Sequence, residues 1–344
     1  MILVTGGTGL VGSHLLFVLS KQGEKIVAIH RKNSDLDAVK NVFSYYSSDF
    51  KQLFSSITWV EADINDIPAL TNAFIGISKV YHSAAMISFS SKDYRKMRKI
   101  NIEGTANIVN LCIENNVEKL CFVSSVAAVG KPLSGKDLLA GMASINEENE
   151  WNVADNNYGY AITKHGAELE VWRAGQEGVD VVIVNPGVIL GSGFWQSGSG
   201  KLFDKTYKGF PFYTEGITGF VDVRDVATIM IQLMDSSIKN ERYILVSENE
   251  SFKNVFFAIA DALGKKRPSI KVTKLLSGIG WRINWVLSKF SGRTAIITKQ
   301  SSKSAHNTYN YSNKKISEAL DYEFIPLDDT IKTVCKNYIK DKGV

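Results

Sequence analysis

Three cysteines, six prolines and five histidines are scattered through 344 residues, and each scarcity excludes something. Cys112, Cys121 and Cys335 form no CxxC pair and are odd in number, which argues against a disulfide framework and leaves them as reduced core filler. The histidines show no metal-ligand spacing, so no metal is expected. Few prolines and no low-complexity tract argue against a disordered chain. No apolar run approaches the ~18 residues of a spanning helix, and no basic stretch followed by a hydrophobic one opens the sequence. A cytoplasmic protein is the expectation. A net charge of +5 without a recognised binding motif gives no footprint for nucleic acid.

What is present is a chain with 44 % hydrophobic residues, long enough to bury a large core. Apolar strand-like runs at Lys25 to His30, Ser56 to Glu61, Lys79 to Ser83, Lys119 to Ser124 and Val179 to Asn185 alternate with helical patterns. Such βαβ rhythm predicts an α/β fold, a doubly wound parallel sheet covered by helices on both faces, with ligands beyond the carboxyl ends of its strands. The pattern loosens after about Pro186. Residues 1–185 are therefore expected to form the doubly wound domain, and 186–344 a smaller, mostly helical substrate-binding part interleaved with the last strands.

The chain opens MILVTGGTGLVGSHL. Ile2 to Val4 read as a buried strand, Gly6, Gly9 and Gly12 as a turn, and Ser13 to Ser20 as a helix. One glycine permits the tight turn, a second lets backbone N–H groups approach a pyrophosphate, and a third lets helix and strand pack closely. The alternative, a glycine-rich strand-to-helix turn without ligand, is weakened by this placement.

Further on stands YGYAITKHGAELE, in which Tyr160 and Lys164 lie one helical turn apart on one face. A phenol near pKa ~10 is a poor acid at neutral pH, and a fixed cation beside it favours phenolate. An ordinary amphipathic helix would look the same. Upstream, however, LCFVSS ends in Ser124 and Ser125 at the sheet edge, where a hydroxyl can donate to an oxygen gaining charge. Tyr158 is a decoy, because four residues on stands Ile162.

With TGGTGLVG, EADI (Glu61 to Ile64), YHSAA (Tyr81 to Ala85), NIEGT (Asn101 to Thr105), VSSVAAVG (Val123 to Gly130), YAITK, NPGVILG (Asn185 to Gly191) and GFVDVRDVA (Gly219 to Ala227), nearly the whole chain resembles the extended short-chain dehydrogenase/reductases. The resemblance implies a Rossmann-type sheet, Ser125 as the catalytic serine with Ser124 its supporting neighbour, Tyr160 as general acid-base, and Lys164 as its activator and ribose ligand. It further implies cofactor contacts at Gly6, Thr8, Gly9, Leu10, Val11 and Gly12. Asp63 and Ile64 would meet the adenine, Ser83, Ala84 and Ala85 the phosphates, and Pro186, Gly187 and Val188 the nicotinamide, with Asn101 also near the cofactor.

The second strand, KIVAIHRK, ends at His30 with Arg31 and Lys32 beyond it, where a carboxylate gripping a ribose 2′-hydroxyl would favour NAD. A guanidinium there holds a 2′-phosphate, so NADP(H) is expected over NAD(H), with Arg31 the main determinant and Lys32 a helper. The other reading of Arg31 is a solvated loop charge. Within the family, dehydratases carry an acidic pair after the serine, whereas Val126, Ala127 and Ala128 stand here. The chain is most similar to the branch of dihydroflavonol 4-reductases and 3β-hydroxysteroid dehydrogenases, which implies reduction of an aldehyde, ketone or dihydroflavonol-like carbonyl. A nucleotide-sugar epimerase or reductase, or a non-catalytic NADP-sensing regulator, remains the alternative.

Candidates for the substrate side are Met86, Ile87, Phe89, Val126, Ala127, Phe194, Trp195 and Phe203, mostly apolar or aromatic, so a small hydrophobic or aromatic carbonyl substrate is favoured over a sugar. From Lys265 to Ser317 there are many Lys and Arg and no Asp or Glu. Leu275, Ile279, Ile283, Val286 or Leu287, and Phe290 recur there at helical spacing beside Trp281 and Trp285. A lid helix over the pocket is favoured over peripheral contact with an anionic membrane. A homodimer, common in the family resembled, stays open.

Overall fold

The computed structural model describes residues 1–131, 144–155, 157–274, 276–278 and 305–343. The first six strands are β1 (Ile2–Thr5), β2 (Ile26–His30), β3 (Thr58–Glu61), β4 (Lys79–His82), β5 (Lys119–Val123) and β6 (Asp180–Pro186). The chain then leaves for a small second sheet of β7 (Val188–Leu190), β8 (Ile217–Asp222) and β10 (Glu248–Ser251), while β9 (Glu241–Leu245) returns to the first. The main sheet runs β9-β6-β5-β4-β1-β2-β3, every neighbouring pair parallel. Strand order reverses between β1 and β4, which is where a doubly wound sheet opens its ligand crevice.

Strand residues alternate strictly between two cores. Val4, Ala28, Cys121, Val123, Val182 and Val184 face one side, where α1 (Leu10–Lys21), α2 (Leu36–Ser44), α3 (Phe50–Ser55) and α9 (Val223–Asp235) bring Leu15, Phe43, Phe54 and Met230. Leu3, Val27, Ile29, Leu120, Phe122, Val181 and Ile183 face the other, against α4 (Ile67–Ala73), α6 (Gly104–Glu114) and α7 (Gly159–Gln176). Burial on both faces is why these strands read as unbroken apolar runs. Helix starts are fixed locally: Asp35 accepts from Ala38 N at 2.9 Å, and Asp66 accepts from Ala69 N at 3.2 Å with a proline in the first turn.

A third cluster caps one end. Leu190 and Phe220 of the second sheet pack with Phe203 on α8 (Gly200–Tyr207), Ile259 on α10 (Phe252–Ala262), and Ile331, Val334 and Tyr338 on α12 (Leu327–Lys342). The three cysteines are free and buried. No helix among the described residues is long and apolar enough to cross a membrane. Leu275, Ile279, Trp281, Ile283, Trp285, Val286, Leu287 and Phe290 of the expected amphipathic helix lie outside the described residues.

Candidate active site

The glycine loop differs from expectation in one respect. The helix begins at Leu10 rather than Ser13, so Gly12 sits inside its first turn. The reason is steric. A Cβ on Gly12 would lie 2.2 Å from the carbonyl oxygen of Gly6, and its absence lets that turn settle onto the loop. Gly6 has φ +70°, and its own Cβ would lie 2.7 Å from Ala84 N. Gly9 is different, because a Cβ there would meet only Gly6 O, at 3.4 Å, an ordinary contact. Folding thus demands glycine at Gly6 and Gly12, whereas the space at Gly9 faces outward at a helix N-terminus, as the close approach of a pyrophosphate requires. Thr8, Leu10 and Val11 are half-buried around it.

Beyond β4, Ser83 donates its hydroxyl to Thr5 O at 2.7 Å, and Ala84 N–H donates to Thr5 Oγ1 at 3.3 Å, which brings this segment against the loop; Ala85 is exposed beside it. His82 links the two sides of the crevice. Thr105 gives its hydroxyl proton to Asn101 O, so its oxygen accepts from His82 Nε2–H at 2.9 Å, leaving Nδ1 to accept from Thr5 at 2.6 Å. Burial, with the Lys164 charge adding to it, pushes this histidine down to about 3, so it is neutral.

At the edge of the crevice, Ser125 follows β5 and caps a single turn over Val126–Ala128, its Oγ accepting from Ala127 N at 3.2 Å. Tyr160 on α7 stands beside Ser125. Burial raises the Tyr160 phenol to about 12, and the neighbouring Ser125 hydroxyl acts against that rise. The sequence points to Lys164 as the group that lowers this phenol, but its fully buried ammonium turns instead to Val123 O at 2.7 Å and lies 4.2 Å over the Phe122 ring. Desolvation brings Lys164 down to about 7, and the Glu168 carboxylate works against that.

Asn101 does not present its side chain to a ligand. Its amide donates to Met86 O and Thr163 Oγ1, both at 3.0 Å, and its oxygen accepts from Met86 N at 2.7 Å, so it staples the segment after β4 to α7 beside Lys164. Ile64 is likewise buried, under Gly104, while Asp63 is exposed with its carboxylate on Asn65 N. Pro186, Gly187 and Val188 make the step from the main sheet to the second, and Gly187 has no room for a Cβ because Gly219 O would lie at 2.4 Å. Arg31 and Lys32 are exposed beyond β2, with Arg31 N–H donating to Ser34 Oγ at 3.1 Å and Thr8 Oγ1 donating to the same oxygen at 3.4 Å.

On the substrate side the structure redistributes the aromatics. Phe203 is a core residue, fully buried in the cap, and Trp195 packs edge-on to Tyr338 while its indole N–H donates to Asp341 at 2.7 Å. Phe194 is half-buried in the same stretch. The decoy Tyr158 proves to be the neighbour of Tyr160, with ring centroids 6.1 Å apart, and Phe89 stacks on Tyr158 at 5.7 Å. Val126 and Tyr309 each pack against the buried cluster of Val129, Ile145, Ile244, Val246 and Tyr311. Sequence spacing could not bring Tyr309 here, since it returns from the far end of the chain.

Sequence reasoning also missed Glu168, although it stands one turn beyond Lys164. It is 1 % exposed, accepts from Ser124 Oγ at 2.7 Å and Asn185 Nδ2 at 3.0 Å, and pairs with Arg242 Nη1 at 3.2 Å.

A glycine cradle at a topological switch point, with Ser, Tyr and Lys gathered at the adjoining edge, defines a short-chain dehydrogenase/reductase of the extended type. The chain belongs to the NAD dependent epimerase/dehydratase family, whose model matches residues 2–245. It is similar to sterol demethylase protein B of Methylococcus capsulatus, 28 % identical over 80 % of this chain and 79 % of that one. It is also 28 % identical to a putative dihydroflavonol 4-reductase of Synechocystis, over 92 % of this chain and 88 % of the relative. Among solved structures, gox2253 superposes with a TM-score of 0.79 at 25 % identity, covering 100 % of this chain and 98 % of that one. The Streptomyces venezuelae dTDP-glucose 4,6-dehydratase DesIV, solved with NAD and TYD bound, shares the fold with a TM-score of 0.77 at 18 % identity, covering 99 % and 98 %. The relatives include anthocyanidin and cinnamoyl-CoA reductases, and the chain is an oxidoreductase-type member of this family.

Proposed function

We propose that this chain reduces a small hydrophobic or aromatic carbonyl compound to the alcohol with NADP(H). The observation that carries the reading is the Tyr160 phenol set beside Ser125 at the sheet edge, with Lys164 one turn along the same helix. A nicotinamide cofactor, when bound, supplies the hydride. Ser125 donates a hydrogen bond to the carbonyl oxygen as it gains charge, and Tyr160 delivers the proton to that oxygen. The phenol's pKa near 12 keeps it protonated, as a donor must be. The Lys164 ammonium then favours the tyrosinate left behind.

Absence of a carboxylate at the end of β2, with exposed Arg31 and Lys32 just beyond, supports NADP(H) over NAD(H). Phe89 stacked on Tyr158 beside Tyr160 supports a flat apolar substrate, since stacked rings offer area rather than sugar-hydroxyl partners. The test is a panel of aldehydes, ketones and flavanonols with NADPH, followed by loss of absorbance. Tyr160→Phe is expected to lose about 10²- to 10⁴-fold in turnover with an accepted substrate while still binding NADPH. Turnover near wild type would remove the role given to Tyr160.

A further inference from the structure

Behind the reacting groups lies a buried charged shelf that spans the sheet. Among the described residues Glu168 receives only donors: the Ser124 hydroxyl from the end of β5, the Asn185 amide from β6, and the Arg242 guanidinium from β9. A carboxyl group surrounded in this way is an acceptor on both oxygens, as the ionised form is. Each donor is itself tied down. Asn185 Nδ2 also donates to Ser125 O at 3.0 Å, and Arg242 donates to the backbone carbonyls of Glu147 and Asn149, while the Glu147 carboxylate accepts from Ile244 N at 2.7 Å. The backbone on either side of Ser125 is thus fastened to the helix that carries Tyr160 and Lys164.

We propose that Glu168, seated on Arg242, is a positioning residue: it fixes the Ser124–Ser125 strand end against Tyr160 and keeps the buried Lys164 ammonium charged. The geometry requires some such partner. Lys164 Nζ is sealed between a carbonyl and an aromatic face, neither of which carries a full negative charge. A buried ammonium without a nearby anion sheds its proton. Among the described residues, the charged and titratable groups around the pair are His82 on β4, Tyr160 and His165 on α7, and Arg242 on β9. His82 is neutral and Arg242 is already matched to Glu168, so among the described residues the anion that acts on Lys164 is the buried Glu168 carboxylate, one turn further along the same helix.

The inference rests on Lys164 serving as a cation in the proposed reaction, and its test is chosen to separate the two. Lysine side chains labelled with ¹³C at Cε are titrated by NMR in the cofactor-free protein, with Lys164→Met identifying the Lys164 signal. In Glu168→Gln the Lys164 midpoint should fall by about one unit or more, and with it NADPH affinity at pH ~8.5 should drop about tenfold below that of wild type at the same pH, with only about a twofold loss at pH ~6. A midpoint unmoved in a folded Glu168→Gln protein overturns the assignment. Should that variant not fold, Arg242→Ala supplies the second arm. A surface cavity of about 590 Å³ opens onto Arg242, so added methylguanidinium can reach the vacated place. Loss of NADPH affinity recovered by methylguanidinium supports the shelf, and affinity equal to wild type without it overturns the shelf. Failure of the wild type to bind NADPH would overturn the proposed function, leaving the NMR titration to decide the role of Glu168.

Discussion

The loop after β1 and the wall behind Tyr160 both bring polar groups to the edge of one sheet, yet they are built in opposite ways. The loop is a matter of backbone crowding: Gly6 and Gly12 leave no room for a Cβ, and the atoms in the way belong to residues at most a strand away. The wall is a matter of side-chain partners, with Ser124, Glu168, Asn185 and Arg242 drawn from four separate segments. A site of the first kind is fixed by what cannot fit, and one of the second kind by which strands become neighbours.

Substitutions can separate these two principles. The largest effect is expected at the loop. Gly12→Ala forces a Cβ to 2.2 Å from a backbone oxygen, which should cost about 3 kcal/mol or more in a denaturant melt. Gly9→Ala, with only an ordinary contact at 3.4 Å and φ −103°, should leave stability within about 1 kcal/mol of wild type yet weaken NADPH binding about tenfold or more. Equal losses of stability in the two variants would erase the distinction drawn between them.

Two buried histidines lie behind the loop and between loop and wall. His14, its Nδ1 bonded to Leu10 O at 2.8 Å, is pushed by burial from 6.5 to about 4, and His82 to about 3. Both folded values lie below the unfolded one, so the unfolded chain binds protons first as the pH falls. Stability is complete above pH 6.5 and declines from there toward pH 4, where His14 alone accounts for roughly 3 kcal/mol. His14→Leu should flatten the fall in Tm between pH 7 and pH 4. An unchanged slope would show that other groups govern it.

The smallest effect is expected at the end of β2. Arg31→Ala removes an exposed guanidinium and should reduce discrimination of NADPH over NADH by about 10- to 100-fold, with little change in stability. Unaltered discrimination in a titration with both cofactors would return Arg31 to a solvated loop charge.

Much of this was legible in advance because the relevant information is periodic or local. All five strand runs fall within two residues of the observed strands, since burial on both faces makes the central ones continuous apolar stretches bounded by polar residues, while the edge strand β3 shows only Trp59 and Val60 half-buried between exposed ends. Tyr160 and Lys164 share a helix face because of their spacing. The substrate side was not legible. Phe203 and Trp195 look as suited to a pocket as Phe89 does, and only the packing of α8 against α12 puts Phe203 in the core.

The sequence by itself determined the strands, the glycine cradle and the common helix face of Tyr160 and Lys164, because each rests on a repeat of two or four residues or on a side chain that is absent. Tertiary structure alone decided where the lysine points, which aromatic rings stand beside Tyr160, and what holds Glu168. Those depend on β6 and β9 closing the sheet beside β5, which brings Arg242 to a carboxylate 74 positions earlier in the chain. Hydrogen-bond partners of buried charges are chosen by strand order, and strand order is not written at any one position.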